Sequence, residues 1–361
     1  MEDYALIMAG GVGARFCPRS RERSPKQLLE IIGNGTMIQN TVYRLDPIVS
    51  SDKILIVTNR LQYQEVERQL PNVLPENIII EPFGRNTAPA IGLAAEVLKK
   101  RVGDAIMIAL PADHLVHDIR AFHEVLERAI AVAESTSGLV TIGIKPTRPE
   151  TGFGYIQFID DAQSDDYKNF GAFRIKTFAE KPSLQIAQHF LESGDYVWNS
   201  GIFIWKASTI NSAISEHLPE IAEELQRLSM SIDTEMFPTE LENAYQGMRG
   251  ISIDVGVMEK SANAYVIPGD FGWSDLGSWD EVYRMLPEDD RGNTLNGNVF
   301  MKDAKNCYIS GPSNKLIAAI GIEDQIIIDT GDALLLCTMG RSQEIKEVVD
   351  YLRRKQMNEY L

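Results

Sequence analysis

Leu6-Ile7-Met8-Ala9-Gly10-Gly11-Val12-Gly13-Ala14-Arg15 opens as an apolar strand and breaks into a loop with three glycines; Pro25-Lys26 follows closely. Glycine lets the backbone turn through positive φ and lets a ligand reach the main chain. N–H groups presented this way, often at a helix start, form an anion site. Arg15, Arg19, Arg21, Arg23 and Lys26 then fall within one short segment, opposed only by Glu22. Donors followed by so many cations point to a nucleoside triphosphate. The spacing is not that of the commoner nucleotide loops. A dinucleotide fingerprint needs glycine where Phe16 stands, and a P-loop needs it where Arg15 stands.

Working outward, the 361 residues are 44% hydrophobic and 24% charged, a globular composition with length for a large core and more than one domain. The net charge of −16 disfavours general nucleic-acid binding, which needs a basic face. An acidic chain that takes an anionic substrate must gather its cations locally, as residues 15–26 do. Three cysteines, Cys17, Cys307 and Cys337, form no paired framework and suit a reducing cytoplasm. The start Met-Glu-Asp-Tyr lacks a basic n-region, and no apolar run reaches membrane-spanning length, so neither a leader nor a membrane partner is expected.

Residues 1–110 alternate short apolar strands (54–58, 78–80, 105–110) with a helix expected over 87–100, where Ala90, Ile91, Ala94, Ala95 and Leu98 keep helical spacing. That alternation argues an α/β, doubly wound sheet with ligands at the carboxyl ends of its strands. Asp113, just past the third strand in Pro111-Ala112-Asp113-His114, either caps a helix or sits at such a crevice. His114 and His117 lack further ligands at zinc spacing. Thr87 is a candidate N-cap. Residues 139–182 look like a strand-rich insertion, and Asn199-Ser200-Gly201 like a polar triplet opening an apolar strand. Residues 207–250 read as surface helices. From Glu288 the texture becomes polar and turn-rich, then turns to short β stretches at 298–300, 307–309, 316–318, 326–328 and 334–336, with a charged helix over 344–352. The expected division is 1–290 and 291–361, the second part serving subunit contact more than chemistry.

A-G-G-x-G-x-R followed by P-K resembles the signature of the sugar-nucleotidyltransferases, and Glu81-Pro82-Phe83-Gly84-Arg85-Asn86-Thr87-Ala88-Pro89-Ala90 closely matches a segment of the mannose-1-phosphate guanylyltransferases within them. Glu180-Lys181-Pro182, Asn199-Ser200-Gly201, Ile253-Asp254 and Trp273-Ser274-Asp275 extend the likeness over the whole chain. The resemblance implies a Rossmann-like mixed sheet with a small C-terminal left-handed β-helix. It also implies GTP and mannose 1-phosphate as substrates, GDP-mannose and diphosphate as products, and a homodimer. It implies Ala9, Gly10, Gly11, Gly13, Arg85, Asn86, Thr87, Pro111 and Asp113 around the nucleotide. Gly152, Tyr155, Glu180, Lys181, Asn199, Ser200 and Asp254 would surround the sugar phosphate. Arg15 and Lys26 would act on the phosphates, and Asp113 and Asp275 would hold Mg²⁺. One departure is Phe16-Cys17-Pro18, where relatives usually carry Leu-Trp-Pro or Leu-Ser-Pro. A sister enzyme using dTTP or UTP with glucose 1-phosphate is the nearer rival reading, and a non-catalytic sugar-nucleotide sensor the more distant one.

Overall fold

The computed structural model describes residues 1–11, 14–160 and 166–361. They form two compact units that interleave along the chain: Met1–Gly10, Thr41–Ala112 and Val116–Trp273 make the first, and Gly11–Asn40, Asp113–Leu115 and Ser274–Leu361 the second.

The first unit is built on a nine-stranded sheet in the order Ile78–Glu81, Ile54–Asn59, Asp3–Met8, Ile106–Pro111, Tyr196–Lys206, Leu139–Ile144, Ala264–Gly269, Phe173–Ala179, Tyr155–Ile159. The first four run parallel. Tyr196–Lys206 runs antiparallel to both its neighbours, so the sheet is mixed. The apolar runs explain the parallel part: Ala5, Leu6, Ile7 and all of Ile106–Leu110 are fully buried, as strands covered on both faces must be. The expected helix is present as Thr87–Arg101, its Lys99, Lys100 and Arg101 at the carboxyl end where cations favour the helix dipole.

Several expectations change here. The residues read as an insertion belong to this same sheet, through Leu139–Ile144, Tyr155–Ile159 and Phe173–Ala179. The helices Ala207–His217, Pro219–Ser229 and Phe237–Gly247 do not lie simply on the surface: Ile210, Ile214, Ile221, Leu225, Leu241 and Tyr245 join the main core. Asn199-Ser200-Gly201 lies within a continuous strand rather than opening one. Opposite it the register jumps from Thr141↔Phe203 to Gly143↔Asn199, and Gly201 takes φ 71°. That is a β-bulge, which turns side chains away from their regular alternation and recurs beside functional sites. The cap of Thr87–Arg101 is Asn86, not Thr87. Asn86 sits at φ 68° with its Oδ1 accepting from the Thr87 N–H, while Thr87 Oγ1 accepts from the Ile253 N–H at 2.8 Å.

The second unit joins the segment after the glycines to the C-terminal part of the chain. Parallel strands Thr294–Asn296, Tyr308–Ser310 and Gln325–Asp329 stack in one sheet, and Val299–Lys302 with Ile317–Ile320 in another, a β-helix-like arrangement. Cys307, Ile309, Ala319 and Ile327 fill its inside. A separate core gathers Phe16, Cys17, Leu276, Trp279, Tyr308, Ile326 and the inward face of the last helix, Ile345–Arg354. Phe16 meets Trp279 edge-on at 4.9 Å, and Trp279 donates its indole N–H to the Cys17 carbonyl. Among the described residues, no helix is long and apolar enough to cross a membrane.

Candidate active site

A cavity of about 280 Å³ lies within the second unit, lined by Arg15, Phe16, Lys26, Asp113, His114, Asp275, Leu276, Gly277 and Lys346. Residues separated by hundreds of positions meet here because the loop after the glycines packs into the Trp279 core. Lys26 is nearly inaccessible, at 4% exposure, which an ammonium tolerates only when it is paired. It donates to Asp113 Oδ2 at 2.9 Å and to the Asp275 backbone carbonyl. Enclosure works against ionisation of Asp113, but Lys26 and then His114 outweigh it and hold the carboxyl below its usual range. Asp275 goes the other way. Burial, reinforced by Glu281 and by Asp113 and only partly offset by Lys26, pushes it up to about 7. Its Oδ1 is buried with no hydrogen-bond partner. Leu276, the next residue, is held at φ 44°, a left-handed conformation that costs a branched residue energy and gathers at functional sites.

Of the five cations after the glycines, only Arg15 and Lys26 line this cavity. Arg21 instead anchors the chain terminus, donating to Asp332 and to the Glu359 carbonyl. Lys346 arrives from the last helix, in a part of the chain expected to serve subunit contact more than chemistry.

The first unit holds two polar groups. In one, Asn199 at the bulge donates through Nδ2 to Asp254 Oδ1 at 2.8 Å, and its own N–H is fixed on the Gly154 carbonyl. Asp254 begins a π-helical turn, Asp254–Met258. Burial, then the Glu180 charge, raises its carboxyl to about 6. Lys181, at φ 47°, pairs with Glu180 at 2.5 Å. Four expected sugar-site residues are thus brought together. The hydroxyls of two others are already engaged: Ser200 donates to the Ile142 carbonyl, and Tyr155 accepts from the Glu150 N–H. Gly152 donates its N–H to the Glu150 side chain.

The second group stands at the carboxyl ends of Asp3–Met8 and Ile78–Glu81. Ala9 donates its N–H to the Val57 carbonyl, and Pro111 is in register with Met8. Glu81 is 6% exposed; Tyr245 donates to its Oε1 at 3.0 Å. A Cβ placed on Gly10 would lie 3.3 Å from Glu81 Oε2, so that oxygen faces the glycine. Burial raises Glu81 to about 7, against the Tyr245 hydrogen bond. Arg85 stacks over Phe83 at 4.8 Å and donates to the Tyr245 carbonyl. Gly11, in the second unit, accepts from the Gln27 side chain. Gly13 lies outside the described residues.

Sequence reasoning passed over Glu81 and Lys346. Glu81 was legible as a lone acid closing a buried apolar strand; nothing around Lys346 marks it.

A family model described as nucleotidyl transferase matches residues 4–291, and one described as mannose-phosphate isomerase/GMP-like β-helix domain matches residues 297–352. A mannose-1-phosphate guanylyltransferase of Klebsiella pneumoniae is 39% identical over 98% of this chain and 75% of its own length. One of Escherichia coli K12 is 36% identical over 99% of this chain and 75% of its own. A Thermus thermophilus structure described as a mannose-1-phosphate geranyltransferase superposes with a TM-score of 0.86 at 33% identity, covering 98% of this chain and all of that one. The chain therefore belongs to the nucleotidyl transferase family, and is a nucleotidyltransferase with a C-terminal β-helix-like domain, similar to proteins named mannose-1-phosphate guanylyltransferases.

Proposed function

We propose that the protein joins GTP and α-D-mannose 1-phosphate to give GDP-mannose and diphosphate. The observation that carries this reading is the cavity in which Lys26, Asp113 and Asp275 converge beside Arg15. The sugar-phosphate oxygen attacks the α-phosphorus in line, the bond to the bridging oxygen breaks, and diphosphate leaves with its electrons. No activated nucleophile is needed, so positioning and charge neutralisation do the catalysis. Asp113 and Asp275, the latter with a buried oxygen that has no partner, are the carboxylates that would hold Mg²⁺, a cation that favours a few carboxylates with phosphate and water oxygens. Held by these residues, the ion would supply Lewis-acid polarisation to the reacting phosphoryl group. Lys26 holds Asp113 ionised and in place, Arg15 meets the phosphates, and the Asn199–Asp254 pair with Glu180 and Lys181 takes the sugar phosphate.

Support for guanine comes from Glu81. Guanine presents two adjacent donors, N1–H and the 2-amino group, and a buried carboxylate is the side chain that accepts both. Glu81→Gln offers one acceptor and one donor instead. It is expected to lower kcat/KM for GTP about 100-fold, because hydrogen bonds to charged groups are worth about 1.5–3 kcal/mol each. Inosine triphosphate, lacking the 2-amino group, should lose less. Equal losses for both nucleotides would remove Glu81 from base recognition. The reaction itself is tested by diphosphate release with each nucleoside triphosphate crossed with each sugar 1-phosphate. Turnover with UTP or dTTP and glucose 1-phosphate, but not with GTP and mannose 1-phosphate, would overturn the reading.

A cytoplasmic homodimer is part of the proposal. All three cysteines are free, in keeping with a reducing compartment. Phe300 and Ile320 are exposed on adjacent strands of the β-helix-like domain, where the register Phe300↔Ala318 and Lys302↔Ile320 puts them on one face. Apolar faces of this kind mark contact surfaces. The double variant Phe300→Glu, Ile320→Glu should therefore run as a monomer by light scattering with unchanged melting; a retained dimer would place the interface elsewhere.

A further inference from the structure

The last helix holds a cation in the catalytic cavity. Ile345–Arg354 is amphipathic: Ile345, Val349 and Leu352 are buried in the core that also contains Phe16 and Leu276. Those two residues themselves line the cavity, so Lys346, next to Ile345, is carried to its wall. The approach to the helix is pinned as well. Asp280, buried in the helix Trp279–Met285 and five positions beyond Asp275, accepts from the Gly340 N–H at 2.5 Å and the Ser342 N–H at 3.1 Å, and the Ser342 hydroxyl closes the same contact. Ser342 is fully buried. The piece of chain that supplies Asp275 and the piece that supplies Lys346 are thus tied together.

On the same helix Arg353 approaches both Asp350 and Glu22. Lys346 has no ion-pair partner among the described residues, and it faces a cavity where Lys26 is already committed to Asp113 and the Asp275 carbonyl. A cation left unpaired beside an anion site is available to the ligand rather than to the fold. We infer that Lys346 binds the terminal phosphates of the nucleoside triphosphate and the diphosphate that leaves, so that the C-terminal segment takes part in catalysis as well as architecture. The inference rests on the proposed reaction for its ligand, since a leaving diphosphate is the most highly charged anion that reaction produces.

The test is binding of inorganic diphosphate with Mg²⁺ to the full-length protein by calorimetry, alongside steady-state kinetics. Lys346→Ala should weaken diphosphate about tenfold, the equivalent of one charge-assisted contact. Lys346→Glu should weaken it further, Lys346→Arg should restore most of it, and raising salt should shrink the differences. KM for GTP should rise in step, while KM for mannose 1-phosphate stays put. Lys355→Glu, the same charge change near the end of the same helix, should leave diphosphate binding at the parental value, and melting of all four variants should match the parent. Parental affinity in Lys346→Ala, or an equal loss in Lys355→Glu, overturns the inference whether or not the enzyme turns over GTP. A parent that binds diphosphate but makes no GDP-mannose overturns the proposed reaction and leaves the site standing.

Discussion

Asparagine at Asp275 should lower turnover about 1,000-fold and leave the empty protein at least as stable as the parent. Size is kept and one charge is lost, and preorganised charge aimed at a developing oxyanion is worth about 100- to 1,000-fold in catalysis, more where a metal is held. Stability is preserved for a separate reason. Asp275 is half-buried with its Oδ1 enclosed and without a partner, and the carboxylates of Glu281 and Asp113 repel it. Its backbone carbonyl, which Lys26 uses, survives the substitution. Asp113→Asn should be equally damaging to rate but mildly destabilising, because it removes the ion-pair partner of a buried lysine. The measurement is activity as a function of Mg²⁺ concentration together with melting in its absence. Both variants should need far more Mg²⁺, and only Asp113→Asn should melt early. A parental Mg²⁺ curve in Asp275→Asn would reduce Asp275 to a turn residue before Trp279.

The strands and the helix at 87–101 were legible because buried parallel strands are continuous apolar runs, and such runs survive any arrangement of the rest. Lys26, Asp113 and Asp275 were legible through local motifs, each near a strand end or turn. What the sequence concealed was partnership. Arg21 sits among cations and looks like a phosphate ligand, yet its guanidinium is committed to Asp332 and the Glu359 carbonyl, over 300 positions away. A charge pattern carries no information about such long-range pairing. Asn199 looks like a strand opener because a bulge and a turn use the same small polar residues. Thr87 looks like the cap because nothing in the sequence announces that Asn86 takes positive φ. Lys346 lies in an ordinary amphipathic helix, and only the packing of Ile345 against Phe16 shows where it ends up.

Lys26 separates a ligand-neutralising role from a positioning one, and methionine there is the informative change. Methionine keeps an unbranched side chain of similar length and removes the ammonium, which lies over the Phe16 ring at 5.6 Å. Two acceptors then lose their donor: Asp113 Oδ2 and the Asp275 carbonyl. Breaking a buried pair costs about 3–5 kcal/mol; Asp113 is 35% exposed on its side chain, so water recovers part of this and about 2–3 kcal/mol is expected. The protein should fold and melt several degrees lower. Turnover should fall at least 100-fold, since Asp113 loses both its orientation and the charge that keeps it ionised. Arginine at this position should not rescue, because a planar guanidinium cannot fit a 4%-exposed site shaped for a point charge between two oxygens. If Lys26 acts chiefly by holding Asp113, the loss falls on kcat, and affinity for Mg²⁺ drops with it. If it acts chiefly by neutralising the triphosphate, KM for GTP rises and affinity for Mg²⁺ is unchanged. The 2.9 Å pair and the buried ammonium favour the first outcome, and parental kcat with a raised KM would overturn it.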